Sequence, residues 1–346
     1  MKLHKQLTIR TRLFSFLADK RASVWSAALA AATLALACLS AGVGTLWIPP
    51  LEVVKGAFGF GEDTTRTVLY SFRLPRAAMA ILAGACLAGS GALLQAVSRN
   101  SLASPDMIGI TGGAAAAGVA LLVVTSGAAG VAGLSIAAIV GAAAVALLLF
   151  ALAWKRGISP LRLVLIGVAL QTAAASLSSF LIVLSPHYLA NQAFTWLTGS
   201  VYGSSWNNVF ALLPWAAGIG IAAWALARRA NVQELGEDVA AGVGARVSRD
   251  RIALVLVSAA LAGAAVSQVG AIGFIGLMAP HMARRLVGPS FGAVLPVSSC
   301  IGAMLLLVAD TLGRTAFPPN DIPAGVFTAA VGAPFFIYLL TRRKAS

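Results

Sequence analysis

Apolar residues along this chain gather into ten runs: roughly Ala22–Leu46, Ala77–Val97, Met107–Ser126, Val131–Ala153, Leu161–Leu184, Asn208–Ala227, Ile252–Gly270, Ala271–Ala283, Val294–Leu312 and Ile322–Leu340. A helix needs ~20 predominantly apolar residues to cross the hydrocarbon of a bilayer, and most of the runs have that length. The pattern predicts an all-α integral membrane protein: a single transmembrane domain of about ten helices over residues 22–346, behind a tail at residues 1–21. The eighth run is the exception, because only about a dozen residues separate Gly270 from Arg284 and Pro280 and His281 interrupt them. A short or broken helix, buried among its neighbours, is expected there.

The polar stretches differ in kind. Trp47–Arg76 and Ser185–Trp206 read as outer segments, the second with tryptophans suited to the headgroup level and a short helix outside the membrane. Residues 228–251 form the longest interior stretch without a membrane-length apolar run. Within it Leu235, Val239, Gly242 and Val243 recur at helical spacing beside Glu234, Glu237 and Asp238, with Gly236, Ala240 and Gly244 between and after them. One face of a short helix would be apolar or bare and the other acidic, which suits either contact with a partner in water or a solvated connector.

Composition narrows the class. Of 346 residues, 59% are hydrophobic and 10% charged, which excludes an ordinary soluble globule. The net charge of +14 sits in short clusters between apolar runs, the arrangement that orients membrane helices, so nucleic-acid binding is discounted. Threading the ten runs leaves only Lys55, Arg66, Arg73, Arg76 and Arg314 outside and the other twenty of 25 basic residues inside, among them Lys155, Arg156, Arg284, Arg285, Arg343 and Lys344. Both termini are then cytoplasmic, and the basic tail with Lys2, Lys5, Arg10, Arg12, Lys20 and Arg21 suits an anionic lipid surface. The first run is too long for the apolar core of a cleaved signal and is read as a retained span. Cys38, Cys86 and Cys300 are far apart and inside apolar runs, so they read as small buried side chains and not as a disulfide framework or a metal site.

A candidate inverted repeat pairs Leu87-Ala88-Gly89 with Leu261-Ala262-Gly263, and Leu102-Ala103-Ser104-Pro105 with Leu277-Met278-Ala279-Pro280. Such repeats mark many transporters, although Gly and Ala are common enough here for chance to supply the matches.

Chemistry for catalysis is missing. There is no phosphate-binding Gly-x-x-x-x-Gly-Lys-Ser/Thr loop, no paired carboxylates, and His4, His187 and His281 are too scattered to share a metal. Asp310 is the one ionisable residue well inside a run, with Asp106 at the end of another; Asp310 and Arg314 stand four apart, as a structural pair or as part of a proton relay in an ion-driven carrier. His281 reads as a gating residue or as a histidine satisfied at a helix break.

Several stretches together resemble the FecCD-type permease subunits of importers for iron–siderophore complexes, vitamin B12 and haem. They are Arg73-Leu-Pro-Arg76, the glycine-rich second run ending in Gln95, Arg99-Asn100-Ser-Leu-Ala-Ser-Pro105, Trp196-Leu-Thr-Gly-Ser200, Leu235-Gly236 to Gly244, Gly273-Phe-Ile-Gly-Leu-Met-Ala-Pro-His281, Asp310 to Arg314, and Ile322-Pro-Ala-Gly325 to Gly332-Ala-Pro334. The resemblance runs from about residue 25 to 342 with the motifs in the family's order. It implies the permease of a type II ABC importer in the bacterial cytoplasmic membrane, carrying a ferric siderophore or, in the same class, vitamin B12 or haem. Its implied partners are a second permease copy or paralogue, a cytoplasmic ATPase dimer that alone holds ATP and Mg, and a periplasmic binding protein; this chain itself binds no cofactor. Leu235–Gly244 matches the coupling helix that seats in the ATPase, and Glu234 adjoins it. Arg73, Arg76 and Arg314 match the arginines that meet acidic residues of the binding protein, with headgroup anchoring as the plainer role. Gln95, Asn100, Pro105, Pro280 and His281 fall where the resemblance places the pathway or its gate. The chain departs from the pattern at Ser101, usually proline, and at Asp321, usually glutamate.

Overall fold

The computed structural model describes residues 6–10, 15–44, 46–60, 62–153, 160–318 and 320–342. Lys2, Lys5, Arg12, Lys155, Arg156, Arg343 and Lys344, assigned above to the inner side, lie outside the described residues. A small antiparallel hairpin, β1 (Gln6–Arg10) with β2 (Ser15–Asp19), precedes the helices where only a tail was expected. The helices are α1 (Lys20–Gly42), α2 (Pro50–Ala57), α3 (Asp63–Val68), α4 (Leu74–Ser98), α5 (Ile110–Val124), α6 (Gly130–Ala153), α7 (Pro160–Leu184) and α8 (His187–Thr198). They continue as α9 (Trp206–Ala225), α10 (Ala227–Glu234), α11 (Glu237–Gly242), α12 (Val247–Val269), α13 (Ile275–Val287), α14 (Phe291–Thr315) and α15 (Ala324–Arg342).

All ten apolar runs are helical. Among the described residues eight helices are long and apolar enough to cross a membrane, whereas α5 has 15 residues and α13 has 13. At ~1.5 Å per residue both fall short of a hydrocarbon core about 30 Å thick, so their ends must be satisfied inside the protein.

Helix α4 is the axis of the bundle. It packs against α9, α12, α13 and α14, and nearly all of it is buried. Without a hydrophobic drive between helices in lipid, close approach depends on small side chains. Gly91 lies directly against the backbone of α13 at Gly276, where any Cβ would collide. The opposite logic applies to α7 and α9, whose Leu165, Val168, Phe180, Val183, Phe210 and Ile221 point outward as lipid or a second permease requires.

Two expectations are corrected, and one segment gains detail. The polar segment Trp47–Arg76 carries α2 and α3, and a π-helical turn (Leu69–Arg73) joins α3 to α4 without a break, so Arg73 and Arg76 stand on a continuous helical rod. The eighth run is short, but Pro280 does not interrupt it: the break lies before α13, where Phe274 adopts a left-handed backbone (φ 68°). Its amide donates to Asp106 Oδ2 at 3.2 Å, a bond that holds the break in place. Half of the candidate repeat also fails, because Leu102–Pro105 is a turn whereas Leu277–Pro280 is helix. Of the three free cysteines only Cys86 is buried; Cys38 and Cys300 are half-buried.

Candidate functional site

The residues singled out in the sequence collect at the two ends of the bundle. At one end stand the N-terminal turn of α4, the C-terminus of α14, the start of α15 and the C-terminus of α1. Arg76 is the hub of this end. Its Nε and Nη2 donate to Asp310 at 2.7–3.0 Å, and Nη1 and Nη2 donate to Asp321 at 2.6 and 2.9 Å. Asp310 is only 2% exposed. The pair expected from the sequence, Asp310 with Arg314, forms as an ion pair at 3.9 Å, while the Arg314 guanidinium donates its hydrogen bonds to the carbonyls of Ser40 and Val43 and to Ser40 Oγ. Arg73 likewise donates to the carbonyls of Ala41, Gly42 and Leu46 at 2.6–3.0 Å. These are orphan carbonyls at the end of α1, which the arginines cap from neighbouring elements. All three candidate docking residues are thus brought together, each with its guanidinium partnered inside the chain. Asp321, whose role the sequence left open, completes the cluster.

At the other end stand the C-termini of α4 and α13 with α10, α11 and the start of α12. The expected helix over Leu235–Gly244 is divided: α10 ends at Glu234, Gly236 takes a backbone (φ 105°) that side-chain-bearing residues rarely adopt, and α11 has six residues. Helix α10 is stapled to the body. Gln233 Nε2 donates to the Val247 carbonyl at 2.9 Å, Asn231 Oδ1 accepts from the Phe291 amide at 2.7 Å, and Arg229 pairs with Asp250 at 3.1 Å. The segment that follows is anchored chiefly by Ala240, which is buried, while Leu235, Val239 and Val243 are 59%, 53% and 65% exposed. Val239 and Val243 follow one another by a turn and Leu235 stands across the Gly236 break, an exposed apolar stripe of three large side chains in one short segment, available to a partner.

Behind the stripe lies a polar layer that the sequence did not reveal. Glu234 accepts from Arg284 Nη2 at 3.3 Å, and Arg284 Nη1 donates to Gln95 Oε1 in a short hydrogen bond. Burial pushes the Glu234 carboxyl up from its ordinary range, against the opposing pull of Arg284. Gln95 Nε2 in turn faces the carbonyls of Gly276 and Leu277 at 3.5 and 3.3 Å. Pro280 explains the vacancy it fills: lacking an N–H, it cannot bond the carbonyl four residues back, which is Gly276. Pro105 also packs on Gly276. Gln95, Pro105 and Pro280 therefore converge on one turn of α13. Asn100 and His281 are elsewhere: Asn100 Oδ1 closes a turn onto the Leu102 amide at 3.0 Å, and His281 lies edge-on to Phe335 of α15. Arg251, also unanticipated, is 1% exposed and its Nε and Nη1 have no hydrogen-bond partner; Glu237 stands 3.9 Å away.

Comparison with known proteins identifies the family. The profile of the FecCD transport family matches residues 32–342. The curated protein named "Probable siderophore transport system permease protein YfhA" of Bacillus subtilis is 48% identical over 334 residues, covering 95% of this chain and 97% of that one. The achromobactin transport system permease protein CbrC of Dickeya dadantii is 45% identical, covering 90% and 89%. Among solved structures, an inward-facing metal-chelate type ABC transporter superposes with a TM-score of 0.82 at 28% identity, over 92% of this chain and 99% of that one. The chain is a multi-pass membrane protein that belongs to the FecCD transport family.

Proposed function

We propose that the chain is the permease subunit of an ATP-driven importer that carries a ferric siderophore across the bacterial inner membrane. Hydrolysis belongs to a separate ATPase, which holds ATP and Mg. The observation that carries this reading is the water-facing stripe of Leu235, Val239 and Val243 in a chain without a phosphate-binding loop. The names of the YfhA and CbrC proteins support the siderophore as cargo. The excess of basic residues at the stripe's end supports placing that end, and both termini, in the cytoplasm.

The mechanism follows from the elements on which these residues stand. An ATPase pair seated on the stripe moves the segment from Glu234 to Gly244, and that movement opens and closes access around α4 and α13 by alternation between the two sides. A second permease, identical or paralogous, packs on the outward apolar faces and completes the pathway. At the far end three guanidiniums, Arg73, Arg76 and Arg314, outnumber two carboxylates, Asp310 and Asp321, both held by Arg76, and this positive surplus suits an acidic periplasmic binding protein. Asp310, held by Arg76 through two donors, serves as a fixed pair and not as a proton relay.

Reconstitution tests the reading. The chain with its ATPase, in vesicles filled with ATP, is expected to take up ferric citrate or a ferric hydroxamate when a binding protein is added outside. Uptake that persists without ATP but follows an ion gradient would replace this reading with a secondary carrier.

A further inference from the structure

Two features on the cytoplasmic side are joined by one residue to which no role has been given. Arg284 lies in the last turn of α13, and its planar fork reaches two acceptors on two other elements at once: Nη2 to Glu234 at the end of α10, Nη1 to Gln95 on α4. Gln95 is 2% exposed and its amide nitrogen turns to the carbonyls of Gly276, which Pro280 leaves free, and of Leu277 in α13. The hydrogen bonds thus run from the segment beside the stripe to the turn of α13 against which Gly91 and Pro105 pack.

Helix α13 is a short, separate rod. Its 13 residues lie between two positive-φ positions, Phe274 (φ 68°) and Gly288 (φ 80°), and at Gly276 it packs directly on Gly91 of α4. A short rod joined to its neighbours by a backbone bend at each end follows whatever holds its side chains.

The geometry points to Arg284 as a positioning residue that transmits displacement of the coupling segment into α13 and α4, so that nucleotide-driven motion outside the membrane repositions the pathway wall within it. This inference rests on the function proposed above. Lysine cannot take the place, because an ammonium is one point charge and not a fork that spans two acceptors in fixed directions. A displacement of Glu234 either pulls Arg284 along or breaks the contact; while both bonds persist, α10, α13 and α4 shift together.

The test uses the intact importer in vesicles, with ATP hydrolysis and uptake of the transported ferric siderophore measured on the same sample. Arg284→Gln and Arg284→Lys are each expected to raise the ATP consumed per siderophore delivered by about 10-fold, the size of an ordinary coupling between two sites. Should Arg284→Gln fail to assemble, Gln95→Met, which keeps bulk and removes the acceptor, is expected to raise the ratio in the same direction. A role confined to stability lowers hydrolysis and uptake in parallel and leaves the ratio alone; that result in Arg284→Lys and Gln95→Met overturns the inference. Absence of ATP-dependent uptake by the unmodified importer would instead refute the function it rests on.

Discussion

The two ends of the bundle solve the same problem, charge at the edge of a membrane, in opposite ways. At the outer end every guanidinium of the triad is partnered within the chain: Arg76 holds two carboxylates, while Arg73 and Arg314 cap the end of α1. At the inner end Arg251 keeps two buried N–H groups without a hydrogen-bond partner, against the one at Arg314 Nε in the outer triad, and a stripe of large apolar residues is exposed. Burying a polar group without a hydrogen bond costs free energy, and so does exposing a contiguous apolar face. The outer cluster is a finished frame that ties four helices together and leaves only surplus charge for the proposed binding protein, whereas the inner layer is unfinished, with apolar surface left open where the proposed ATPase would seat.

That contrast can be broken from either side. The largest effect is expected from Arg76→Ala, which strands Asp310 at 2% exposure and Asp321 beside it. Removing one partner of a buried pair typically costs about 3–5 kcal/mol, read as a loss of thermal stability of the purified chain in detergent. Arg73→Ala comes next, at about 2 kcal/mol by the same measurement, since it withdraws charged donors from three carbonyls at the end of α1. Breaking Arg229–Asp250 with Arg229→Ala is expected to cost under about 1 kcal/mol, because Arg229 is half exposed. The smallest stability effect, within about 0.5 kcal/mol, belongs to Val243→Ala, which touches little in the isolated chain. If Arg76→Ala and Val243→Ala destabilised equally, the distinction between a finished and an unfinished end would fail.

Much of the frame was legible in the sequence. Ten apolar runs became ten helices because burial in lipid leaves the backbone no other way to satisfy itself, so composition alone decides the element. The amphipathic spacing of Leu235, Val239 and Val243 gave the stripe, since a periodicity of 3.6 survives even in a short helix. What sequence could not supply were pairings between distant positions. Local spacing matched Asp310 to Arg314, an ion pair present at 3.9 Å, but its hydrogen-bonded partner Arg76 is 234 positions away. Arg284 looked like one more inner-side base, and only the fold brings it between Glu234 and Gln95. Pro280 was read as a break because proline removes a helical bond, yet the helix continues through it and Gln95 from α4 takes the freed carbonyl. The three left-handed non-glycine residues, Arg99 at the end of α4, Ser126 after α5 and Phe274 before α13, have no sequence signal of their own.

The central claim is that the inner stripe is where an ATPase seats. Its most direct measurement is the amount of ATPase subunit that co-purifies with Leu235→Glu/Val239→Glu, beside the unmodified chain and with monodispersity as the control for folding. Because both side chains already face water, the double variant is expected to remain folded, to lose the ATPase and to lose ATP-driven uptake. A folded double variant that retains both would contradict the account.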